Sequence, residues 1–343
     1  MLLFRPVRKK DLSAIVKLTQ FGGIGLTTLP TDKAILAERI NTSLKALAAT
    51  VQKPFNEHYF FVLEDTINKK VIGVTGINAA VGDGAPFYSY KLSKITRICR
   101  QLDLHNEYSL LRLVNDYQGQ TEICSLLLHP DYHRKGAGRF LSRARFLFIG
   151  QFPQRFTPLI IAEMRGVSSK QGQSPFWENV GKHFFNMSYR EADELTVKTD
   201  KQFIADLMPR HPIYIQLLRK NAQQAIGQPH QLTRPALRIL QKEGFIYQGY
   251  VDIFDAGPTF EAQRDQIHTV ENSCTVTLKN VVRQLPGEKY LLSNTSLDFR
   301  ACIGDLCVDG DNYTLDQQVA KLLKVKPGDR IRMAPLHYGS SNE

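Results

Sequence analysis

A mixed α/β (α+β) fold, one sheet flanked by helices and followed by a small β-rich domain, is what three features of the sequence predict. Amphipathic helical patterns and short β-branched runs intermingle over residues 1–258. One such run, Thr121 to Leu128, passes through a polar loop into a helix that opens with two glycines. After Asp255-Ala256-Gly257-Pro258 the pattern changes to short alternating runs and turns, among them Pro286-Gly287 and Pro327-Gly328-Asp329. These features divide the chain into a helix-flanked domain over 1–258 and a smaller β-rich domain over 259–343.

The elements follow in order. Leu2 to Val7 alternates as an opening strand. Arg8 to Gln20 is a helix, with Leu12, Ile15, Val16 and Leu18 near helical spacing and Asp11 near its first turn. A turn at Gly22, Gly23 and Gly25 leads to a helix over Asp32 to Val51, whose Ile35, Leu36, Ile40, Leu44 and Leu47 share one face. Tyr59 to Glu64 and Val71 to Ala80 are β-rich, and the polar Thr66-Ile67-Asn68-Lys69 between them reads as a hairpin connection. Gly82 to Lys91 and Ser109 to Val114 are expected to add strands. Then come the strand Thr121 to Leu128, a loop over His129 to Lys135 opened by Pro130, and the helix Gly136 to Gly150. Pro158 to Met164 is an apolar strand, and Pro175 to Phe185 a short helix with Phe176, Val180 and Phe184 inward. Ala236 to Tyr247 runs from helix to strand, the same order as Trp177 to Tyr189.

Lys and Arg outnumber Asp and Glu by 44 to 33, giving a net charge of +11 and a pI near 9.4, so the chain attracts anions. The cations are scattered, without an RNA-binding signature, zinc-finger spacing or basic arm. That pattern favours a phosphate-bearing small molecule over nucleic acid. The cysteines, Cys99, Cys124, Cys274, Cys302 and Cys307, form no close CxxC pair, and the N-terminus carries no signal segment, so a reducing cytosol is expected. No apolar run approaches the ~20 residues that span a bilayer. The densest, Phe140 to Phe152, is broken by Arg143 and Arg145 and reads as a core helix.

The segment from Leu128 to Gly138 holds the chemistry. A turn with glycines at Gly136 and Gly138 leaves backbone N–H groups unpaired at the positive end of a helix, a nest for a pyrophosphate. A Cβ at either position would hold a phosphate away from the backbone, while Arg134, Lys135 and Arg139 add charge near the same pole. The plainer reading is a tight strand-to-helix connection. The spacing fits neither GxxxxGK[ST] nor GxGxxG. With its preceding strand it resembles the acetyl-CoA-binding motif of the GNAT acyltransferase superfamily, Arg or Gln, two residues, Gly, one residue, Gly or Ala, with His133 in the Arg/Gln place.

The resemblance narrows over Glu122-Ile123-Cys124-Ser125-Leu126, Leu141-Ser142-Arg143-Ala144-Arg145-Phe146, Ala162-Glu163-Met164-Arg165-Gly166-Val167, Ser174-Pro175-Phe176-Trp177, Met208 to Tyr214, Ile226-Gly227-Gln228-Pro229-His230 and Tyr250 to Thr259. From Arg5-Pro6-Val7 to about Ala262 the chain is similar to the arginine N-succinyltransferase family. That resemblance implies a GNAT-like, mostly antiparallel sheet in a cytoplasmic enzyme. It implies succinyl transfer from succinyl-CoA to the α-amine of L-arginine, giving N2-succinyl-L-arginine and CoA, in arginine catabolism to glutamate and succinate. No metal, nucleic acid or membrane is implied, and the assembly is a homodimer or a heteromer with a related subunit. Ornithine or another amine is the alternative acceptor, and a non-catalytic basic module for a ligand or nucleic acid is the alternative role.

The resemblance places the succinyl-CoA contact on Leu126, whose side chain reads equally well as core of a buried strand. It places the proton donor on His230, in the loop before Thr233-Arg234-Pro235-Ala236, and imidazole exchanges protons near neutral pH. His211, beside Pro209 and Pro212, is second choice. The coenzyme loop comprises His133, Arg134, Lys135, Gly136, Ala137 and Gly138. Glu163 and Arg165, at the end of an apolar strand, suit arginine's guanidinium and the succinyl carboxylate, or an ion pair with each other. Glu122 and Tyr132 are further acid–base candidates.

Overall fold

The computed structural model describes residues 1–22, 28–82, 86–133, 136–169, 171–198, 202–283, 285 and 287–337. Gly23, Gly25, Arg134, Lys135 and Pro286 lie outside these residues.

Strand β1 (Leu2–Pro6) is followed by helices α1 (Leu12–Thr19) and α2 (Lys33–Ala48), the latter capped by Asp32, whose carboxylate accepts from the N–H groups of Ala34 and Ile35. β2 (His58–Asp65) and β3 (Lys70–Asn78) form the expected hairpin across Thr66 to Lys69. The next hairpin is longer and later than predicted. β4 (Ser89–Cys99) pairs with β5 (Leu104–Val114) along its whole length, and the expected strand start at Gly82 falls in the approach to it. β6 (Thr121–Leu128), α3 (Ala137–Gln151) and β7 (Leu159–Glu163) fall where the sequence puts them.

The segment after β7 departs more. The helix expected over Pro175 to Phe185 is two, α4 (Pro175–Asn179) and α5 (Gly181–Phe185), broken at Val180. Val180 leaves the helical region at φ −126°, ψ −77°, and Gly181 lies so close to the Trp177 ring that a Cβ there would stand 2.2 Å from it. Phe176 and Val180 are buried as expected, but Phe184 is 44% exposed. No strand follows at Tyr189, which is buried at the start of α6 (Tyr189–Lys198). After α7 (Gln202–Leu207), β8 (Ile213–Tyr214) and α8 (Lys220–Ala225) come α9 (Arg234–Lys242), β9 (Ile246–Val251), β10 (Pro258–Gln263) and α10 (His268–Glu271).

The sheet order in this part is β1-β2-β3-β6-β7-β10-β9-β4-β5-β8, antiparallel except where β6 meets β7. Alternation along β2 decides what lies on each face. Phe60 and Val62 pack with Ile15, Leu36 and Ile40 of α1 and α2. Tyr59, Phe61 and Leu63 pack with Leu141, Phe148 and other residues of α3. Helices thus cover both faces of a mixed, mostly antiparallel sheet, as the sequence predicts. The predicted core helix α3 buries Arg143 and Arg145, and Arg145 is held by the Ser142 carbonyl and hydroxyl.

From Cys274 onward the β-rich unit is built from β11 (Cys274–Val282), β12 (Glu288–Asn294), β13 (Ala301–Asp309), β14 (Asn312–Asp316) and β15 (Arg330–Pro335). They run β12-β15-β11-β14-β13, and β13 pairs back to β12, so the five close into a ring. Helix α11 (Gln317–Leu323), which the alternating pattern hides, packs Val319 and Leu323 into it. All five cysteines are free. Among the described residues no helix is long and apolar enough to cross a membrane.

Candidate active site

β6 and β7 run parallel but pair only at Thr121 with Ile160 and Glu122 with Ile161, then separate. The separation follows from a bulge. Ser125 and Leu126 together oppose Thr75 of β3, and Ser125 takes the left-handed conformation with φ +55°. A serine held there is strained, and two bonds to the Thr28 main chain and side chain hold it: the Ser125 hydroxyl donates to the Thr28 carbonyl and the Ser125 N–H to the Thr28 hydroxyl. Leu126, half-buried, turns its side chain to the α3 core. It therefore sits in the bulge at the open side of the cleft.

At the top of β6 the loop folds back on the strand. The His133 ring bonds the Leu128 carbonyl at 3.0 Å, so it braces the turn and faces β6. Tyr132 donates to Asp65 Oδ2 at 3.0 Å and is committed to the β2 end. Gly136 caps α3 with φ +72° and has no side chain to satisfy the first-turn N–H groups, and no acid sits in that turn. A Cβ at Gly136 would meet nothing within 4 Å, and one at Gly138 only a Leu128 methyl at 3.7 Å. The space beside Gly136 and Gly138 is open to a ligand while the Ala137 side chain packs into the core, and the amides at the helix end suit an anion.

The end of β7 is the reverse, closed and cross-linked. The Met164 N–H donates to the Pro258 carbonyl, the His230 N–H donates to the Arg165 carbonyl at 2.8 Å, and Gly166 forms a bridge with Pro229. Asp255, buried at 4% exposure, accepts from the N–H groups of Gly166 and Gly257 and from the Tyr189 hydroxyl. Burial first, then repulsion from Asp252, pushes its carboxyl well above the usual range. The fold thus brings Arg165 and His230 together, although 64 residues separate them in the chain. Arg165 donates to the Ser168 hydroxyl at 2.9 Å, while its Nε is shut from solvent without a hydrogen bond.

His230 Nδ1 accepts from the Leu232 N–H at 3.1 Å. The neutral imidazole therefore carries its proton on Nε2. Burial, then the Arg165 charge, lowers its pKa, and a bond to the Ser168 main chain partly offsets this. His211 is exposed in the turn before β8, and among the described residues no bond from its side chain connects it to this cluster.

A second polar line, which the sequence hid, crosses the sheet at one level. His58, Asn78 and Glu122 are neighbours in register on β2, β3 and β6. Asn78 Nδ2 donates to Glu122 Oε2 at 2.8 Å, so its Oδ1 accepts from His58 Nδ1 at 2.7 Å. Burial first, with the Arg39 charge, lowers the His58 pKa to about 4. The row continues through Ile161 to Glu261, which accepts from the buried Tyr117 hydroxyl. Glu163, at the same face one row on, pairs with Thr259 in the ladder. Strand register alone carried this signal: each of these side chains comes from a different strand.

The chain matches the family model described as arginine N-succinyltransferase beta subunit over residues 2–269, and that of its C-terminal domain over residues 273–335. The chain belongs to the arginine N-succinyltransferase family. It is 40% identical over 98% of both chains to the arginine N-succinyltransferase of Yersinia pestis, and 42% identical, with the same coverage, to the enzyme's subunit beta from Pseudomonas aeruginosa. Its fold matches the arginine/ornithine succinyltransferase subunit AI of Pseudomonas aeruginosa with a TM-score of 0.89 at 34% identity, covering 98% of this chain and 99% of the other. As an arginine N-succinyltransferase family member the chain is an acyltransferase that uses a CoA thioester.

Proposed function

We propose that this enzyme transfers succinyl from succinyl-CoA to the α-amine of L-arginine, giving N2-succinyl-L-arginine and CoA. One observation carries the reading. A cleft between two parting strands has an open, amide-lined anion nest at one end and a cation beside a neutral imidazole at the other.

In this reading the diphosphate lies on the amides of Gly136, Ala137 and Gly138, with Arg134 and Lys135 supplying charge and His133 bracing the turn. The pantetheine arm pairs with the β6 backbone at Leu126, whose main chain orients the thioester. Arg165 takes the succinyl carboxylate and Glu163 the guanidinium. The neutral amine attacks the thioester carbonyl, the C–S bond breaks, and His230 gives its Nε2 proton to the departing sulfur and regains one from solvent. Glu122, its carboxylate aligned by Asn78, accepts the proton the amine must lose. The helix-flanked unit, which runs on through β10 and α10, and the β-rich unit from Cys274 work as one enzyme, as a homodimer or with a related subunit, in the cytoplasm.

Ornithine is a second acceptor to consider, because the subunit from Pseudomonas aeruginosa with the matching fold is described as arginine/ornithine succinyltransferase. A thiol-release assay crossing succinyl-CoA and acetyl-CoA with arginine, ornithine and lysine decides among these. Succinyl-CoA with arginine should give the highest kcat/KM. Faster turnover with acetyl-CoA or with lysine would defeat the assignment.

A further inference from the structure

Around Ile161 three neighbouring strands each offer a carboxylate to the same face of the sheet. Glu122 on β6 and Glu261 on β10 are the register partners of Ile161 on β7, and Glu163 lies two residues further along β7 on the same side. Glu163 is paired with Thr259, so Glu163 and Glu261 are diagonal neighbours on antiparallel strands, ~7–8 Å apart by the usual ladder spacing. Both are half-buried, and among the described residues Glu261 forms no ion pair. Glu261 accepts instead from the Tyr117 hydroxyl. Tyr117 is buried against Ile161, with its ring centroid 4.5 Å from that of Tyr250. Burial first, then Glu261, and further the charge of Glu163, push the phenol's pKa up, so it stays a donor. Lys91, the register partner of Tyr250, is held over that ring at 3.6 Å and donates to the Gln248 carbonyl rather than to a carboxylate.

A separate observation points to a ligand. Thr259, between Glu163 and Tyr250 in the ladder, is fully buried on the face it shares with Glu261, and its hydroxyl has no hydrogen-bond partner among the described residues. A buried hydroxyl left unpaired is costly, and an N–H group lying between the two carboxylates would supply its partner. Carboxylates on two sides, a hydroxyl acceptor beside them and two tyrosine rings suit a flat cation with N–H groups on several edges. A compact ammonium reaches fewer of these groups at once.

We infer that Glu261, positioned by Tyr117, completes the acceptor's cation site with Glu163 and Thr259 and makes the enzyme select a guanidinium over an ammonium. The inference rests on the reading of the chain as an acyltransferase acting on arginine, and adds the residue that tells arginine from ornithine. Glu261 stands two strands from Glu122, ~10 Å by strand spacing. An extended arginine, with its amine at one end and its guanidinium at the other, bridges the two.

Steady-state kinetics on the full-length enzyme with L-arginine, L-ornithine and the neutral L-citrulline test it. Wild type is compared with Glu261→Gln, whose amide carbonyl still accepts from Tyr117. Wild type should favour arginine over the other two in kcat/KM, and the variant should raise KM for arginine by roughly 10–100-fold, with KM for succinyl-CoA and Tm unchanged. A variant that keeps the wild-type KM for arginine overturns the inference, and so does a wild type that prefers ornithine. If Glu261→Gln melts early, Tyr117→Phe, which frees the carboxylate to turn away, should raise KM for arginine in the same direction, and an unchanged KM there overturns the inference. A wild type that acylates none of the three amines defeats the acyl-transfer reading instead. Calorimetric titration with L-arginine then decides the site: binding that Glu261→Gln abolishes supports it, and equal binding, or none to wild type, overturns it.

Discussion

Two pairs of glycines flank the site and are there for opposite reasons. A Cβ at Gly136 meets nothing and one at Gly138 makes an ordinary contact, whereas one at Gly257 would stand 2.0 Å from the Met164 carbonyl and one at Gly166 2.4 Å from that of Asp255. The first pair leaves room for something that is not protein. The second lets two backbone segments lie against each other, which is how Arg165 and His230 meet. One end of the cleft is built to receive and the other to hold still, and the difference separates substitutions that damage binding from those that damage the fold.

The largest expected effect lies at the closed end. His230→Ala should lower kcat by ~10²–10⁴-fold, with the coenzyme's Kd by calorimetry nearly unchanged, and near-normal turnover would remove the imidazole from the chemistry. Gly257→Ala should destabilise the enzyme by about 3 kcal/mol, as over-packing of a close backbone contact does. The readout is the urea midpoint, and a wild-type midpoint would show that the closed end is not tight. Gly138→Leu should act the other way. Its added Cβ fits the protein and a leucine favours helix, so Tm should hold or rise while KM for the acyl-CoA increases roughly 10-fold, an effect of about 1.4 kcal/mol. An unchanged KM would mean that the open space is not the coenzyme's.

How much of this was legible depended on whether the signal was local. The unit from Thr121 to Gln151 was readable because a β-rich run, Pro130 and two glycines coincide within a short stretch. β4 was placed too early because Lys94, Thr96, Arg97 and Ile98 are all exposed, so the outer hairpin has no buried face to impose alternation. Phe184 looked inward by helical spacing, but the break at Val180 resets the phase of the second helix. At the site, His230 was named from a family resemblance and Arg165 from its place after an apolar strand, but only the fold shows that the Arg165 carbonyl anchors the His230 backbone. Of the His58, Asn78 and Glu122 line only Glu122 was named, because no residue interval encodes which strands become neighbours.

Arg143 gives the closed ring of strands a bearing on the rest of the enzyme. Buried midway along α3, its guanidinium donates to the carbonyls of Pro335 and Leu336 and to the Thr269 hydroxyl, and pairs with Glu243 just past α9. Removing the last strand would leave that cation facing vacated space without two of its acceptors, on the same helix whose first turn offers the open amides. The chain therefore cannot be cut back through β15 without cost to the rest: Pro335 and Leu336 are part of the foundation on which α3 stands.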